Sequence, residues 1–427
     1  MIMVTSNRMD DSISDPMISN RYSRWIFRAL VAEIALIFFF IPAGRFQGSF
    51  FGLPFYFGGD VYKNFPILIF TWFAWRLLIP KKDIPKSLLH IPFLFCIFIS
   101  TLSSLGSSDP YQSFSETLEL LLYYVFYVIL IDIPWRRKQI LILAAFFLVG
   151  NIWMGWVTLN QYFLSGQSQG IPGLNGTFNY PNTLGLYSIL GFCFFALLLV
   201  HGEQRYQKIA AWAGIFLVLM SGMASLSRAS YLGLAIAILF ILLRERRLLR
   251  FIPILLTVIV CIGLVTFPYV ERKFTGILQE LKGWDDTSRI RIWPFVLDFS
   301  VPDLSFFGHG EDPVLRDRMD STLVATTEPF FLTHHWKPHN LIMALFLNLG
   351  LLGIPAYAWL FLAYVRQVKE CMKLDQSIFY AGIIGYLVHQ LFDLHHLDGN
   401  IPAALFGLFA LATWMATNKT DEYNHPS

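Results

Sequence analysis

The chain has 427 residues, of which 55% are hydrophobic, 17% aromatic and only 14% charged. Soluble domains carry roughly 25% charged residues, so this composition, with a mean hydropathy of +0.53, excludes an ordinary water-soluble globule. The formal net charge of +3 is small and spread along the chain, which gives no reason to propose a nucleic-acid partner.

In chain order, residues 1–25 form a polar, charged tail without the short basic start and A-x-A-like site of a cleavable leader. A spanning helix needs about 20 apolar residues. Twelve runs qualify, near 26–43, 64–80, 87–105, 116–133, 139–163, 183–201, 208–226, 230–244, 251–269, 340–365, 377–393 and 400–417. The expected fold class is therefore an all-α polytopic membrane protein of about 12 transmembrane helices. Four cysteines, Cys96, Cys193, Cys261 and Cys371, are widely separated with no C-x-x-C spacing, and read as small hydrophobes.

Short loops rich in Lys and Arg face the cytoplasm. Such residues follow the second, fourth, sixth, eighth and tenth runs: Arg76 to Lys86, Arg136 to Lys138, Arg205 and Lys208, Arg244 to Arg250, and Arg366 to Lys373. The alternate loops "GSSDPYQSFS", "SGQSQGIPGLNGTFNYPN" and "LHHLDGN" contain neither residue; Arg45 and Lys63, after the first run, are a mild exception. This pattern predicts cytoplasmic tails at 1–25 and 418–427, spans one to nine over 26–269, an outward loop over 270–338, and spans ten to twelve over 339–417. Loops as long as 270–338 are usually functional. Its mixture of charges with Trp284, Trp293, Phe306, Phe307, Phe330, Phe331 and Trp336 predicts a lid on the membrane surface.

Three places combine reactive residue types with the outward side. Arg228 stands in "MASLSRASYLGL", where the seventh and eighth runs meet with almost no loop. It reads either as an Arg snorkelling to headgroups or as an anion clamp, because guanidinium binds phosphate bidentately and keeps its proton. Arg289 and Arg291 open the long loop in "SRIRIW"; they share a side if the segment is extended, and an ion pair with Asp285 or Asp286 is the ordinary alternative. His339 lies between Pro338 and Asn340 at the outward start of the tenth run. Pro338 disfavours helix at Lys337, so the helix is expected to begin here with Asn340 as its cap. The helix dipole there favours a neutral imidazole, able to take a proton from a hydroxyl. The adjacent pairs His334/His335 and His395/His396 lack the i, i+4 spacing of helical metal ligands, and no metal site is expected. Glu33 and Asp60 form no chain of membrane carboxylates.

Taken together, these residues resemble the O-antigen ligase and polymerase superfamily of bacterial envelopes. The resemblance rests on "SRAS-x-LGL" around Arg228, on R-x-x-x-W from Arg289 to Trp293, and on G-x-G at Gly308 and Gly310. Pro338-His339-Asn340, followed by Gly350 and Gly353, completes it, with an earlier G-x-F-x-x-PN element at Gly176, Phe178, Pro181 and Asn182. It covers roughly residues 170 to 355. It implies a GT-C-like glycosyltransferase of the bacterial inner membrane with a periplasmic loop and site, and no cofactor. The implied donor is an undecaprenyl-diphosphate-linked glycan and the implied acceptor lipid A-core oligosaccharide, with membrane lipids around both. Arg228 and Arg289 would hold the diphosphate, with Arg291, Asn340 and Asn182 as further substrate contacts, and His339 would serve the acceptor hydroxyl. Where many relatives carry an acidic residue just before Gly350, this chain has Leu349, which weakens the case for a carboxylate partner to His339. An O-antigen polymerase, a protein-glycosylating relative and a polytopic transporter are the competing expectations. Polar residues of a transporter gather at the bilayer midplane, whereas here they gather outside.

Overall fold

A computed structural model describes residues 21–43, 45–50, 53–58, 61–79, 83–165, 177–178, 181–244, 253, 306–310, 340–392 and 400–424. They form α1 (Arg21–Ala43), α2 (Phe65–Leu78), α3 (His90–Leu105), α4 (Pro110–Asp132), α5 (Arg137–Ser165), α6 (Pro181–His201), α7 (Arg205–Ala224), α8 (Arg228–Arg244), α9 (Leu341–Lys369), α10 (Lys373–Phe392) and α11 (Ile401–Asn424). Each coincides with an expected run; the run at 251–269, residue 253 apart, lies outside the described residues. Among those residues, six helices, α1, α4, α5, α6, α7 and α9, are long and apolar enough to cross a membrane by themselves. The 16 residues of α3 rise only about 24 Å, against a hydrocarbon core of roughly 30 Å.

Local chemistry sets the boundaries. Helix α4 begins well before its apolar run because Asp109 caps it, accepting from Gln112 N at 3.0 Å, with Pro110 in the first turn. The only strands among the described residues are β1 (Arg45–Phe50) and β2 (Leu53–Gly58), an antiparallel hairpin running from Arg45 opposite Gly58 to Phe50 opposite Leu53. This hairpin adds a small sheet to the helical plan. The aromatic-rich segment "RFQGSFFGLPFYFG" gave no hydropathy signal for it.

Helix α6 occupies the centre, against α7, α8, α10 and α11. Glycine and serine let the axes approach. Gly185 of α6 faces the Ser225 and Ser230 hydroxyls, and Gly233 of α8 abuts the Gly385 carbonyl of α10. Lipid tails provide no hydrophobic drive between helices, so small-residue interfaces of this kind carry the association. A second aromatic layer joins α3, α4, α9 and α11, with Phe93 to Phe406 at 4.7 Å and Tyr364 to Phe409 at 4.4 Å between ring centres. Large apolar side chains such as Ile67, Phe70, Phe73, Phe98, Trp156 and Leu362 cover the outside. Such a surface suits lipid, not water.

Helices α1 to α8 alternate in direction, as do α9 to α11, and long-range hydrogen bonds sort their termini into two ends. Leu88 N donates to Gln367 Oε1 at 3.2 Å, Arg244 to Gln376 Oε1 at 3.1 Å, and His201 meets Asp375 at 2.7 Å. These contacts put the starts of α3 and α10 with the ends of α6, α8 and α9. At the other end Asn400 holds three segments: its Nδ2 donates to Phe40 O at 2.9 Å and Ile41 O at 3.3 Å, and its Oδ1 accepts from Val61 N at 2.9 Å. The first end carries Arg76, Lys86, Arg136, Lys138, Arg205, Lys208, Arg366, Lys369 and Lys373. At the second, here called the mouth end, the described basic residues are Arg45, Lys63 and Arg228.

Candidate functional site

Arg228 is the first residue of α8 and is exposed. The turn delivering it is tightly determined. Leu226 adopts φ 52°, a left-handed conformation uncommon for a non-glycine residue. Ser225, fully buried, donates its hydroxyl to Gly222 O at 2.7 Å and accepts from Ser227 N at 3.2 Å. Ser227 in turn accepts from Ser230 N at 3.3 Å, and the Tyr231 hydroxyl donates to Met223 O at 2.5 Å. The serines of "SLSRAS" therefore build the bend, and the arginine is what it presents. Residues held in sparsely populated backbone regions cluster at functional sites when their surroundings over-determine them. At a helix start the free amides and the dipole add to the guanidinium charge in favouring an anion.

Asn182 lies in the first turn of α6, half-buried, one turn before Gly185, which packs on the Ser225–Ser230 bend. The segment leading to it is pinned: Thr177 Oγ1 donates to Pro42 O at 2.6 Å, and Phe178 lies 5.2 Å from the Tyr187 ring. The G-x-F-x-x-PN element thus fixes the start of α6 beside the start of α8.

Asn340 caps α9 as expected. Its Oδ1 accepts from Ile342 N at 2.9 Å and Met343 N at 3.2 Å, while its Nδ2 donates to Leu391 O at 2.8 Å. Only 8% of the residue is exposed. Its amide is committed to the cap and to the end of α10, a placement that suits a positioning role better than a substrate contact. Arg289, Arg291 and His339 lie outside the described residues, as do His334, His335, His395 and His396. His339 is nonetheless the chain neighbour of an anchored Asn340. Arg228, Asn182 and Asn340 all stand at the mouth end, because α8 and α10 run antiparallel and Leu391 closes α10.

The structure also brings together residues that the sequence reading had not joined. Helix α9 is broken at Gly350, with φ 67° and ψ −158°. Against the break lies the G-x-G segment: His309 N donates to Leu347 O at 3.1 Å and Gly310 N to Asn348 O at 2.8 Å. The Ser103 hydroxyl at the end of α3 donates to the same Asn348 carbonyl and accepts from Gly310 N at 2.7 Å. Gly308, Gly310 and Gly350 are the described glycines with positive φ, and all three meet here. Beside them is a small cleft, more apolar than polar, in which Ser100, Ser113, Glu116 and Asn348 stand among Leu120, Ala344, Leu345 and Leu349. Three serines, Ser100, Ser103 and Ser104, in one apolar helix were the available signal. Among the described residues no group of three or more His, Cys, Asp or Glu is placed to hold a metal ion.

Comparison with known proteins adds one finding. Residues 213–358 match the O-antigen ligase family. The matched segment includes Arg228, Arg289, Arg291, both glycines of G-x-G, His339, Asn340 and Gly350, and leaves Asn182 outside. No curated protein matches the chain.

Proposed function

With residues 213–358 belonging to the O-antigen ligase family, we propose that this membrane protein is a glycosyl-transferring enzyme that moves a glycan from undecaprenyl diphosphate to lipid A-core oligosaccharide. The observation that carries the reading is Arg228, exposed at the start of α8 on a serine-locked turn, at the same end as the Asn340 that follows His339. The positive-inside rule puts the basic end in the cytoplasm, so the mouth end faces the periplasm of a bacterial inner membrane.

In this mechanism Arg228 and Arg289 hold the donor diphosphate, with Arg291 nearby. The acceptor hydroxyl attacks the anomeric carbon from the face opposite the leaving group. A carbon–oxygen bond to the acceptor forms as the bond to the diphosphate oxygen breaks, and the anomeric configuration inverts. The bonding electrons leave with the diphosphate, whose growing charge the guanidinium groups stabilise. His339 accepts the proton of the attacking hydroxyl. Two fixed positive charges supply the stabilisation that a divalent cation gives in other phosphate chemistry, so the mechanism calls for no metal or cofactor. Asn340 and Asn182 shape the site: the first caps the helix that His339 precedes in the chain, the second sits beside the Arg228 bend.

Reconstitution with labelled polyprenyl-diphosphate glycan and lipid A-core tests the proposal. Wild-type protein is expected to yield glycan-bearing lipid A. Arg228→Ala should lose about 10²- to 10³-fold in rate and His339→Ala about 10²- to 10⁴-fold, with both variants still inserted in the membrane. Donor translocation without glycosyl transfer would overturn the enzyme assignment. Elongation of the donor-linked glycan, with none attached to lipid A, would reassign it as a polymerase.

A further inference from the structure

The break in α9 divides it into an outer segment, Leu341 to Leu349, and the remainder beyond Gly350. An unbroken helix fixes the direction of its own tip. A break at positive φ releases the outer segment from that constraint, so something else must set where its first residue points. Two ties do so. At the top, Asn340 Nδ2 donates to Leu391 O of α10 at 2.8 Å. At the bottom, the carbonyls that the break withdraws from the helix ladder accept from the loop: Leu347 O from His309 N at 3.1 Å, and Asn348 O from Gly310 N at 2.8 Å.

The lower tie rests on a rigid platform. Ser103 bridges Asn348 O and Gly310 N from the end of α3. Behind it, Ser100 pairs with Thr117 at 2.7 Å, Thr117 with Ser104 at 3.1 Å, and Ser113 with Ser104 at 3.0 Å, which fastens α3 to α4. Each hydroxyl in this chain has a partner within the protein, which makes it a brace and not a ligand cradle. Two backbones meet where no Cβ fits: one added at Gly350 would run into Gly308 N and come within 2.6 Å of Phe306 O, on a backbone at φ +67°. Glycine is needed at both faces of the contact.

We propose that Gly308, Gly310, Gly350 and Ser103 form a backbone clasp that registers the outward loop on the broken α9, and that it thereby positions the α9 mouth for the transfer reaction. The second half of the proposal rests on the transferase reading above. The clasp residues touch no reacting atom and act through the segment that Asn340 heads. Their loss should therefore fall chiefly on turnover: Arg228, on α8, keeps its hold on the diphosphate, and only the share carried by Arg289, on the same loop as the clasp, is weakened.

Two measurements on the full chain in membrane mimetic test this. Amide hydrogen exchange over residues 306–310 should be slow in wild-type protein, fast in Gly350→Ala, and raised in Ser103→Ala but not in Ser103→Thr, which keeps the hydroxyl. Peptides from α6 and α11 should stay protected in every variant, which verifies the fold. Transfer assays should show Gly350→Ala losing about 10- to 100-fold in kcat, the scale of a positional error near 1 Å, with donor KM raised by a smaller factor than kcat falls. Ser103→Ala should lose less, and Ser103→Thr should recover it. Unprotected amides at 306–310 in wild-type protein would overturn the clasp. Fast exchange in Gly350→Ala with unchanged kcat would overturn its positioning role. An inactive wild-type protein would sink the transferase reading, while the exchange measurement would still decide whether the clasp exists.

Discussion

Asn340 does two separable things with one amide. Its oxygen caps α9 through Ile342 N and Met343 N, and its nitrogen ties that cap to Leu391 O. Asn340→Asp keeps the acceptor, adds a negative charge at a helix start where it is favourable, and loses the donor. Asn340→Ala loses both. Asp should therefore melt within a few degrees of wild type, whereas Ala should cost about 0.5–2 kcal/mol for the cap. Both should lose turnover, because both release the α9 mouth from α10. Thermal unfolding and transfer assays separate the effects, and full activity in Asn340→Asp would show that the tie to Leu391 has no part in positioning. The cap itself was legible in the sequence, since Pro338 and Asn340 flank the point where an apolar run begins. The nitrogen's partner was not, because Leu391 is distant in the chain and offers only a backbone carbonyl.

Helices are the scale at which the sequence spoke most clearly. A membrane helix must satisfy its backbone internally over about 20 apolar residues, so the runs and the elements coincide closely. The same uniformity hides the break in α9. Leu341 to Ala358 reads as continuous apolar sequence, and the glycines at 350 and 353 look like the small-residue spacing common in membrane helices. Only the arrival of a distant G-x-G segment gives the break its hydrogen bonds. Likewise, Arg228 was visible as a charged residue between two runs, but the serine bonds and the left-handed Leu226 that present it were not. The placement of α8 depends on a close approach that a substitution can test. A Cβ at Gly233 would lie 2.6 Å from Ile189 Cδ1 and 2.7 Å from the Gly385 carbonyl. A backbone oxygen cannot rotate away, so Gly233→Leu must push α8 off α10. Overpacking of this kind costs about 1–3 kcal/mol, which exceeds the roughly 1 kcal/mol that a better helix former returns. The variant should melt lower than wild type, and its transfer rate should fall because Arg228 begins the displaced helix. A melting temperature at or above wild type would contradict this packing.

Across the described residues, most basic side chains and the proposed site stand at opposite ends. The basic side chains gather where α2, α4, α6, α8 and α9 finish, while the mouth end holds the cleft beside Gly310, the clasp and the Arg228 bend. That arrangement specifies sidedness, through the cost of moving Lys and Arg across the bilayer. Single cysteines read it out. Tyr111, 88% exposed in the first turn of α4, marks the mouth end; Met372, 52% exposed between α9 and α10, marks the basic end. The native Cys96, Cys193 and Cys371 are buried and contribute little background, and Cys261, outside the described residues, is replaced by Ser in both variants. In intact cells whose outer barrier has been permeabilised, a membrane-impermeant thiol reagent should label Tyr111→Cys and spare Met372→Cys. Met372→Cys should react only once the inner membrane is opened. The reverse pattern would put Arg228 and the clasp on the cytoplasmic side and remove the periplasmic transfer mechanism, whatever the catalytic residues proved to be.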